Sequence, residues 1–359
     1  MPTILIMAGG TGGHVFPALA LARRLREQSA EVVWLGTRRG IEARLVPAEG
    51  IPIEWLSVGG LRGKALSTRL AAPGRLTIAL WQALRVMRRR RPAVVVGLGG
   101  FVTGPGGVAA WLTRRPLVIH EQNAIAGFTN RCLAHLAREV LEAFPGSFRA
   151  AVRTVTIGNP VRREIAALPG PAERLGGRAG AVRLLIIGGS QGAVRLNTVV
   201  PSALARAAGI RFEVRHQAGE RWTQACRESY AGAGVAADVS AFIDDMAEAY
   251  AWADLAICRA GALTVSELAA AGLGAVLVPF PAAVDDHQTY NARQLVHAGA
   301  AVLIADRELS VERLAGELER LCADRATLLS MAERARALAR PDATERLASA
   351  CLALARRAA

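Results

Sequence analysis

A repeated unit, in which a short apolar strand runs into a glycine-rich turn and then a helix, constrains the fold most. The strand at 3–8 leads into the turn Gly-Gly-Thr-Gly-Gly-His and a helix near 13–28, and the same order returns from 183–188 onward. Continuous apolar strands that alternate with amphipathic helices indicate parallel sheets covered by helices on both faces. The sequence therefore predicts two doubly wound α/β domains in tandem.

The order of the predicted elements also sets the domain limits. Further strands are expected at 31–35, 93–97, 117–119 and 154–157 in the first series, and at 212–216, 255–258, 275–279 and 301–304 in the second. Residues 168–181 are rich in Gly, Pro, Ala and Arg without periodicity, which predicts a linker and a surface loop. Residues 310–359 are predicted to be helical with a break at Pro341. We expect domains at 1–160 and 161–340, with a last helix at 341–359 that packs back on the first domain.

Three glycine-rich turns, at 9–14, 97–107 and 188–193, follow predicted strands. Glycine lets the backbone approach a phosphate closely, and the N-terminus of the following helix offers free N–H groups. The first turn lacks the spacing of a dinucleotide fingerprint, no acidic residue stands near position 36, and no Gly-Lys-Ser/Thr occurs. A phosphate-bearing ligand that is neither a nicotinamide nor a P-loop nucleotide is therefore expected, in a crevice outside the carboxyl ends of the strands.

Three side chains near these turns suit chemistry with sugars and nucleotides. His14 opens a helix inside the first turn, where an imidazole that is neutral near pH 7 could take a proton from a hydroxyl; a capping or packing role stays open. Glu267 could accept hydrogen bonds from ribose hydroxyls, or serve only as an acid that favours the helix dipole. Gln288 suits sugar hydroxyls, although the polarity of its loop would also explain it.

Positive charge is concentrated in the first half of the chain. The net charge is +14, of which residues 1–160 carry +13 and the remainder +1. This asymmetry indicates an anionic partner, either nucleic acid or acidic lipid. Aromatic residues make up only 5% of the chain and no nucleic-acid motif occurs, so we expect no nucleic-acid partner.

The segment 73–91 is the candidate lipid-binding element. Apolar residues recur at helical spacing and a run of arginines follows, which fits either a core helix or an interfacial helix on an anionic membrane. Trp111, followed by Arg114 and Arg115, favours the membrane. The proposed membrane contacts are Leu76, Leu80, Trp81, Arg88 and Arg89.

Several signals bear on the cell compartment. Met-Pro-Thr runs directly into a strand without a basic n-region, and no stretch reaches the roughly 18 apolar residues of a membrane span. The five cysteines are scattered at no metal-ligand spacing, as is typical of free thiols in a reducing cytosol. We expect a protein that is made in the cytoplasm and stays there.

A set of motifs in fixed order carries a resemblance to a known family. The motifs are GGTGGHVFPALA, GGFVTGPG, HEQNAIAG, GNPVR, GGSQGA followed by LN, CRAGALTVSE and DHQTYNA, within residues 4–300. The chain resembles the bacterial lipid I N-acetylglucosaminyltransferases. The resemblance implies a GT-B fold, two Rossmann-like domains with a deep cleft, and inverting transfer of GlcNAc from UDP-GlcNAc to the MurNAc 4-hydroxyl of lipid I, which gives lipid II and UDP in peptidoglycan synthesis.

The same resemblance implies residue roles. His14 and Glu121 are the acid–base candidates, with His14 preferred. The donor contacts would be Thr11, Gly12, Gly13, Asn123, Arg162, Ser190, Ile243, Arg259, Ala262, Leu263, Thr264, Val265, Ser266, Glu267 and Gln288. The acceptor diphosphate would lie on the first two glycine turns, at Gly10, Gly99, Gly100 and Thr103. The resemblance also implies a peripheral location at the cytoplasmic face of the inner membrane and a place in a cell-wall or division complex.

The leaving diphosphate needs positive charge, which many glycosyltransferases supply with a metal on Asp-x-Asp. No such motif occurs, and the adjacent pairs Asp244-Asp245 and Asp285-Asp286 diverge. Arg259 with helix N-terminal amides is the expected source of charge, and neither a metal nor a cofactor is expected. The alternatives are a UDP-GlcNAc 2-epimerase, a glycolipid galactosyltransferase, and a nucleic-acid-binding protein.

Overall fold

The computed structural model describes residues 1–59, 72–189, 192–207 and 209–358. The chain divides into two compact units. Unit 1 consists of Met1–Arg162 with Arg340–Ala359, and unit 2 is Arg163–Ala339.

Unit 1 is built on a parallel sheet that, among the described residues, has seven strands in the order β3-β2-β1-β4-β5-β6-β7. The strands are β1 (Thr3–Ala8), β2 (Glu31–Gly36), β3 (Ile53–Trp55), β4 (Val94–Gly99), β5 (Leu117–Glu121), β6 (Glu139–Glu142) and β7 (Val155–Thr156). The helices are α1 (Gly12–Glu27), α2 (Glu42–Ala48), α3 (Ala72–Arg90), α4 (Thr103–Leu112), α5 (Phe128–Leu133) and, from the end of the chain, α15 (Ala343–Ala358).

The apolar strands of unit 1 are buried on both faces. Along β1, Ile4 and Ile6 contribute to one hydrophobic cluster while Leu5 and Met7 contribute to another, because successive side chains in a strand point to opposite faces. The first cluster includes side chains of α1 and α15, and the second includes side chains of α3 and α4. A sheet covered by helices on each face is the doubly wound arrangement predicted from the sequence.

Unit 2 repeats this architecture. Its described strands form a parallel six-stranded sheet in the order β10-β9-β8-β11-β12-β13. The strands are β8 (Val182–Ile187), β9 (Phe212–Gln217), β10 (Asp238–Ser240), β11 (Leu255–Cys258), β12 (Ala275–Leu277) and β13 (Ala301–Leu303). The helices are α6 (Arg163–Ala166), α7 (Pro171–Leu175), α8 (Val194–Arg206), α9 (Thr223–Gly232), α10 (Met246–Trp252), α11 (Ala262–Ala271), α12 (His287–His297), α13 (Val311–Cys322) and α14 (Arg325–Ala337). Short 3-10 helices lie at Glu220–Trp222, Val284–Asp286 and Asp306–Glu308.

The segments between and after the two strand series differ in part from expectation. The expected loop 168–181 contains the short helix α7, which begins with Pro171 at its first turn. The C-terminal segment breaks at 323–324 as well as around Pro341, because Asp324 caps the start of α14 through its side chain. No helix in the described part of the chain is long and apolar enough to cross a membrane.

Candidate active site

Each sheet has one point where the strand order reverses. In unit 1, β1 and β4 are neighbours there, and in unit 2 the neighbours are β8 and β11. In open α/β sheets, ligands bind beyond the carboxyl ends of the strands at such a switch point. The first two glycine turns follow β1 and β4, and the third turn and the segment around Arg259 follow β8 and β11. The first two glycine turns and Arg259 therefore lie at the switch points.

A buried carboxylate, Glu42, which belongs to none of the predicted motifs, forms hydrogen bonds that hold the first glycine turn in place. Its Oε2 accepts a hydrogen bond from the Gly10 N–H at 3.0 Å. Its Oε1 accepts from the Thr37 N–H at 3.0 Å and from the Thr37 hydroxyl at 2.8 Å. Glu42 is fully buried, and Gly10 has φ +93°, a conformation suited to glycine. The shape of this turn thus depends on one anion.

The second glycine turn lies directly against the first. Gly99 has φ +112° and Gly100 has φ +86°, and a Cβ on Gly100 would collide with the Gly9 carbonyl. A Cβ on Gly99 would stand 2.6 Å from His14 Nδ1, so the imidazole packs on the bare backbone of this turn. The structure therefore brings His14 and both turns together at one switch point.

His14 is partly exposed, and its Nδ1 lies 2.9 Å from the Oε1 of Gln122. Gln122 is 1% exposed and its Nε2 lies 2.9 Å from Nδ1 of His120. His120 is fully buried, and its Nε2 lies 2.9 Å from the Gly158 carbonyl oxygen. Burial lowers the pKa of His120 to about 4, because a charged imidazole would lose its hydration. His120 is thus a neutral imidazole at pH 7.

Two of the expected site residues point into the protein. Glu121, 2% exposed, accepts at Oε1 from the N–H and side-chain amide of Asn123, and at Oε2 from the Gly127 N–H and the Asn130 amide. These four donors match the roughly four lone-pair positions of a carboxylate. Thr103 is fully buried and its hydroxyl donates to the Gly99 carbonyl at 2.9 Å. Both groups hold turns in place.

The other candidates of unit 1 lie around α1. Thr11 is the N-cap residue of α1, with an extended backbone, and Gly12 and Gly13 are its first two residues. The first turn of this 16-residue helix contains no acidic side chain, so the positive end of its dipole is not neutralised there. Arg162 places its guanidinium 5.8 Å from the ring centre of Phe16 on the same helix.

In unit 2, Arg259 follows β11 and is anchored by its Nη1. This nitrogen donates to Asp306 Oδ1 at 2.5 Å and to the carbonyl oxygens of Val278 and Pro279 at 3.2 Å each. The side chain is 15% exposed, and its guanidinium lies 5.7 Å from the Phe280 ring centre. Asp306 therefore balances part of the charge expected at this position.

Helix α11 begins directly after this arginine, with Gly261 as the N-cap residue and no acidic residue in the first turn. Leu263, Thr264 and Ser266 are partly exposed, whereas Ala262, Val265 and Glu267 are buried. Glu267 Oε2 accepts a hydrogen bond from the Tyr250 hydroxyl at 3.2 Å.

Gln288, on α12, is oriented by the backbone of two neighbouring segments. Its Oε1 accepts from the Ala260 N–H at 3.2 Å and from the Phe280 N–H at 2.9 Å. The carbonyl end of the amide is thus engaged in the protein, and its other end is a donor. Ile243 is partly buried in the loop between β10 and α10. Ser190, in the third turn, lies outside the described residues.

The candidate membrane helix α3 presents two different surfaces along its length. Its buried face consists of Ala79, Ala83, Val86 and Met87. Near its N-terminus, Leu76, Ile78 and Trp81 are 46%, 53% and 58% exposed, and Leu80 is partly buried.

The arginine run lies at the far end of α3. At 1.5 Å per residue, Arg88 is about 18 Å along the helix from Leu76. Arg89 forms an ion pair with Glu54, and Arg90 Nη2 lies 2.8 Å from the other oxygen of the same carboxylate. Trp81 lies closer to the arginine run, seven residues or about 10 Å from Arg88. Part of the basic charge, that of Arg89 and Arg90, is neutralised by Glu54.

The ionisable groups of the described residues include no cluster of three or more His, Cys, Asp or Glu side chains that could hold a metal ion. Elsewhere in unit 2, His216 is fully buried; its Nδ1 lies 2.9 Å from the Tyr230 hydroxyl and its Nε2 3.0 Å from Asn197 Oδ1. Burial lowers the pKa of His216 to about 3. This histidine is part of the core.

Two parallel α/β units, each with glycine turns at its switch point, are the architecture of the GT-B fold. Residues 4–142 match the glycosyltransferase family 28 N-terminal domain, and residues 183–347 match the family 28 C-terminal domain. The chain belongs to glycosyltransferase family 28. This confirms the GT-B fold and the resemblance inferred from the sequence motifs.

Individual relatives cover almost the whole chain. A protein of Alkalilimnicola ehrlichii is 61% identical over 98% of this chain and 99% of its own length, and one of Nitrosococcus oceani is 60% identical over 98% of each. Both are named UDP-N-acetylglucosamine–N-acetylmuramyl-(pentapeptide) pyrophosphoryl-undecaprenol N-acetylglucosamine transferase. The crystal structure of MurG from Acinetobacter baumannii is similar, with a TM-score of 0.85 and 41% identity over 98% of this chain and 100% of that one.

Proposed function

We propose that this chain transfers GlcNAc from UDP-GlcNAc to the 4-hydroxyl of MurNAc in lipid I, forming lipid II and UDP with inversion at the anomeric carbon. The observation that carries the proposal is the 61% identity, over nearly the full length of both chains, to a relative whose name states this transfer. Phosphate-compatible turns at the switch points of both sheets support it. Because the donor is α-linked and the product β-1,4-linked, the chemistry is a single displacement.

In this proposal the acceptor binds to unit 1. Gly12 and Gly13, which the family resemblance assigns to the donor, here contact the acceptor diphosphate through their amides, together with the Gly99–Gly100 turn, because the Gly10 amide is bonded to Glu42. His14 takes the proton of the attacking hydroxyl, because it is partly exposed at the meeting point of these turns. Glu121 and Thr103 shape the turns without touching the substrates.

The donor binds to unit 2 in this proposal. The leaving diphosphate lies at the N-terminus of α11, whose first turn has no acidic side chain to repel it. Arg259, held in place through Nη1, adds positive charge beside it. Glu267 accepts from the ribose hydroxyls, and Gln288, whose Oε1 is bonded to two backbone amides, donates from Nε2 to a hydroxyl of GlcNAc.

The reaction is tested by measuring UDP release from UDP-GlcNAc with a short-chain lipid I analogue, in the presence of a chelator. We expect turnover that requires the acceptor and survives chelation. His14→Ala should lower kcat by about 10²–10⁴-fold with an unchanged KM for UDP-GlcNAc, the range for loss of a general base. His135→Ala, an exposed histidine of the same unit, is the matched control.

Two results would contradict these assignments. Consumption of UDP-GlcNAc without the acceptor would favour an epimerase over a transferase. Full activity of His14→Ala would exclude His14 as the base while leaving the transfer itself in place.

We also propose that unit 1 docks on the cytoplasmic face of the inner membrane through the N-terminal half of α3. Leu76, Ile78 and Trp81 are large apolar side chains exposed to solvent. The exposed Arg75 lies within one helical turn of Leu76 and Ile78, and the exposed Arg85 lies about one turn from Trp81. The Arg85 guanidinium lies 5.7 Å from the Trp81 ring centre. An apolar surface bordered by arginines fits an interface of anionic lipid. Arg89 contributes less because it pairs with Glu54.

Sedimentation with vesicles of anionic and of neutral lipid tests this docking. Replacing Leu76 and Trp81 by Ser should abolish binding to anionic vesicles at 0.15 M salt. Val155→Ser, at an apolar residue of β7 in the same unit that is 48% exposed, should leave binding unchanged. Equal loss in both variants would mean that the N-terminal half of α3 is not the specific contact.

A further inference from the structure

A series of hydrogen bonds connects Gly158, His120, Gln122 and His14, and it determines which atoms of these four residues carry protons. A carbonyl oxygen cannot donate, so the Gly158 carbonyl, 2.9 Å from His120 Nε2, requires a proton on that nitrogen. His120 is fully buried and neutral, so its Nδ1 must carry a lone pair. His120 is thereby fixed in the Nε2–H tautomer.

The amide of Gln122 is oriented by His120. Its Nε2 lies 2.9 Å from the His120 Nδ1 lone pair and donates to the His120 carbonyl at 3.1 Å. The two amide hydrogens therefore have two acceptors. Rotating the amide by 180° would place Oε1 against both acceptors, at the cost of two buried hydrogen bonds. The Gln122 backbone carbonyl is held as well, by the Asn159 amide at 3.1 Å.

The orientation of the Gln122 amide determines which nitrogen of His14 carries a proton. The group that faces its Nδ1, at 2.9 Å, is Gln122 Oε1, which can only accept. His14 Nδ1 must therefore carry a proton, and in the neutral ring Nε2 carries the lone pair. The bare backbone of Gly99 lies beside the Nδ1 edge of the ring.

We propose that His120 and Gln122 are positioning residues that hold His14 in the Nδ1–H tautomer, so that Nε2 is the atom that accepts the proton. This inference rests on the proposed function. In the step itself, the MurNAc hydroxyl forms a bond to the anomeric carbon while its proton moves to His14 Nε2. The bond from the anomeric carbon to the UDP oxygen breaks, and its electron pair leaves with the diphosphate. Gln122 Oε1 continues to accept from Nδ1 of the imidazolium.

Gly158, at the other end of this hydrogen-bond series from His14, is held in position by its backbone conformation and close packing. Gly158 has φ +90°, and a Cβ there would stand 2.6 Å from Cβ of Arg340 and 3.3 Å from that of Ala343, at the start of α15. The residue whose carbonyl determines the tautomer of His120 is thus packed closely against the start of α15. A neutral amide between two imidazoles orients His14 without placing a carboxylate beside it.

The tautomer is measured directly by long-range ¹H–¹⁵N correlation on the full chain labelled at histidine, with His14→Gln used to assign the resonance. We expect His14 in the Nδ1–H form in the wild type. In Gln122→Met we expect a shift toward Nε2–H. His120→Phe keeps Gln122 and the backbone carbonyl of residue 120 but removes the imidazole acceptor of the Gln122 amide, so we expect a smaller shift in the same direction. Gln28→Met, near the end of α1, is the matched control and should leave the tautomer unchanged.

Kinetics give a second readout on the same variants. In Gln122→Met and His120→Phe, kcat should fall by about 10–100-fold with an unchanged KM for UDP-GlcNAc. A wild-type His14 in the Nε2–H form, or a tautomer that is unchanged in both variants, would overturn the proposal. An absence of acceptor-dependent turnover in the wild type would instead overturn the proposed function, and the spectra would still decide the tautomer.

Discussion

The buried carboxylate of Glu42 gives the sharpest prediction about the first glycine turn. In Glu42→Gln, one acceptor oxygen becomes an NH₂ group that must face either the Gly10 N–H or the Thr37 groups. The Thr37 hydroxyl can rotate and accept, but a backbone N–H cannot. Either orientation therefore leaves at least one buried N–H facing another donor.

The magnitude follows from the bonds that change. A hydrogen bond to a charged group contributes about 1.5–3 kcal/mol, and the remaining bonds become neutral ones of about 1 kcal/mol. Glu42→Gln should therefore destabilise unit 1 by about 3 kcal/mol. Glu49→Gln is the matched control, because Glu49 follows the same helix and pairs with Arg23 at the surface, where the side chains are 29% and 50% exposed. Its cost should be about 1 kcal/mol or less.

Hydrogen exchange followed by mass spectrometry is the suitable assay, since a chain with two units need not unfold in one step. Peptides that contain Gly10 and Thr37 should lose protection in Glu42→Gln, whereas peptides of unit 2 should not. The KM for the lipid I analogue should rise because the turn is displaced. Equal protection in Glu42→Gln and Glu49→Gln would refute the view that this one anion holds the turn.

Three further outcomes are expected. Gly99→Ala should lower kcat severely while the chain still folds, because φ at this residue is +112° and the new Cβ would press on the His14 ring. Gly104→Ala is the control, because its Cβ would stand at an ordinary 3.6 Å from Thr129. Gln288→Glu keeps the acceptor but removes the donor, so the KM for UDP-GlcNAc should rise about tenfold while the inhibition constant of UDP changes less. Burial lowers the pKa of His216 from 6.5 to about 3, so the folded state binds a proton on this ring only at lower pH than the unfolded chain does. The stability that unit 2 gains from the neutral ring is therefore full above pH 6.5 and falls by about 1.4 kcal/mol for each unit of pH between 6.5 and 3. His216→Gln should remove this slope in denaturant titrations.

The strands that carry the glycine turns could be predicted because their apolar runs are long and end in glycine. Thr3–Ala8 and Val182–Ile187 match the expected segments closely. The strand Asp238–Ser240 was not predicted, because three residues with only one buried side chain give no periodicity. Its pairing with the neighbouring strand, and not a local preference, defines it.

The partners of the candidate site were harder to foresee than its location. Glu42 lies 32 residues from Gly10, and a helix-opening acid is expected from the dipole alone. A signal for His120 and Gln122 was present, since residues two apart at the end of a strand share a face while Glu121 points to the other. The sequence also could not show that Glu54 pairs with the arginines of α3, because long-range ion pairs depend on the sheet that brings them together.

The return of α15 to unit 1 has a consequence for biosynthesis. Leu347, Ala348 and Cys351 are fully buried in the same hydrophobic cluster as Leu21 and Leu25 of α1. Unit 1 begins to emerge from the ribosome first, yet this part of its core is translated only after all of unit 2, which ends at Ala339. The nascent chain therefore exposes an apolar face of α1 throughout most of its synthesis. The unit that starts first is the last to be completed, and chaperones have that interval in which to bind it.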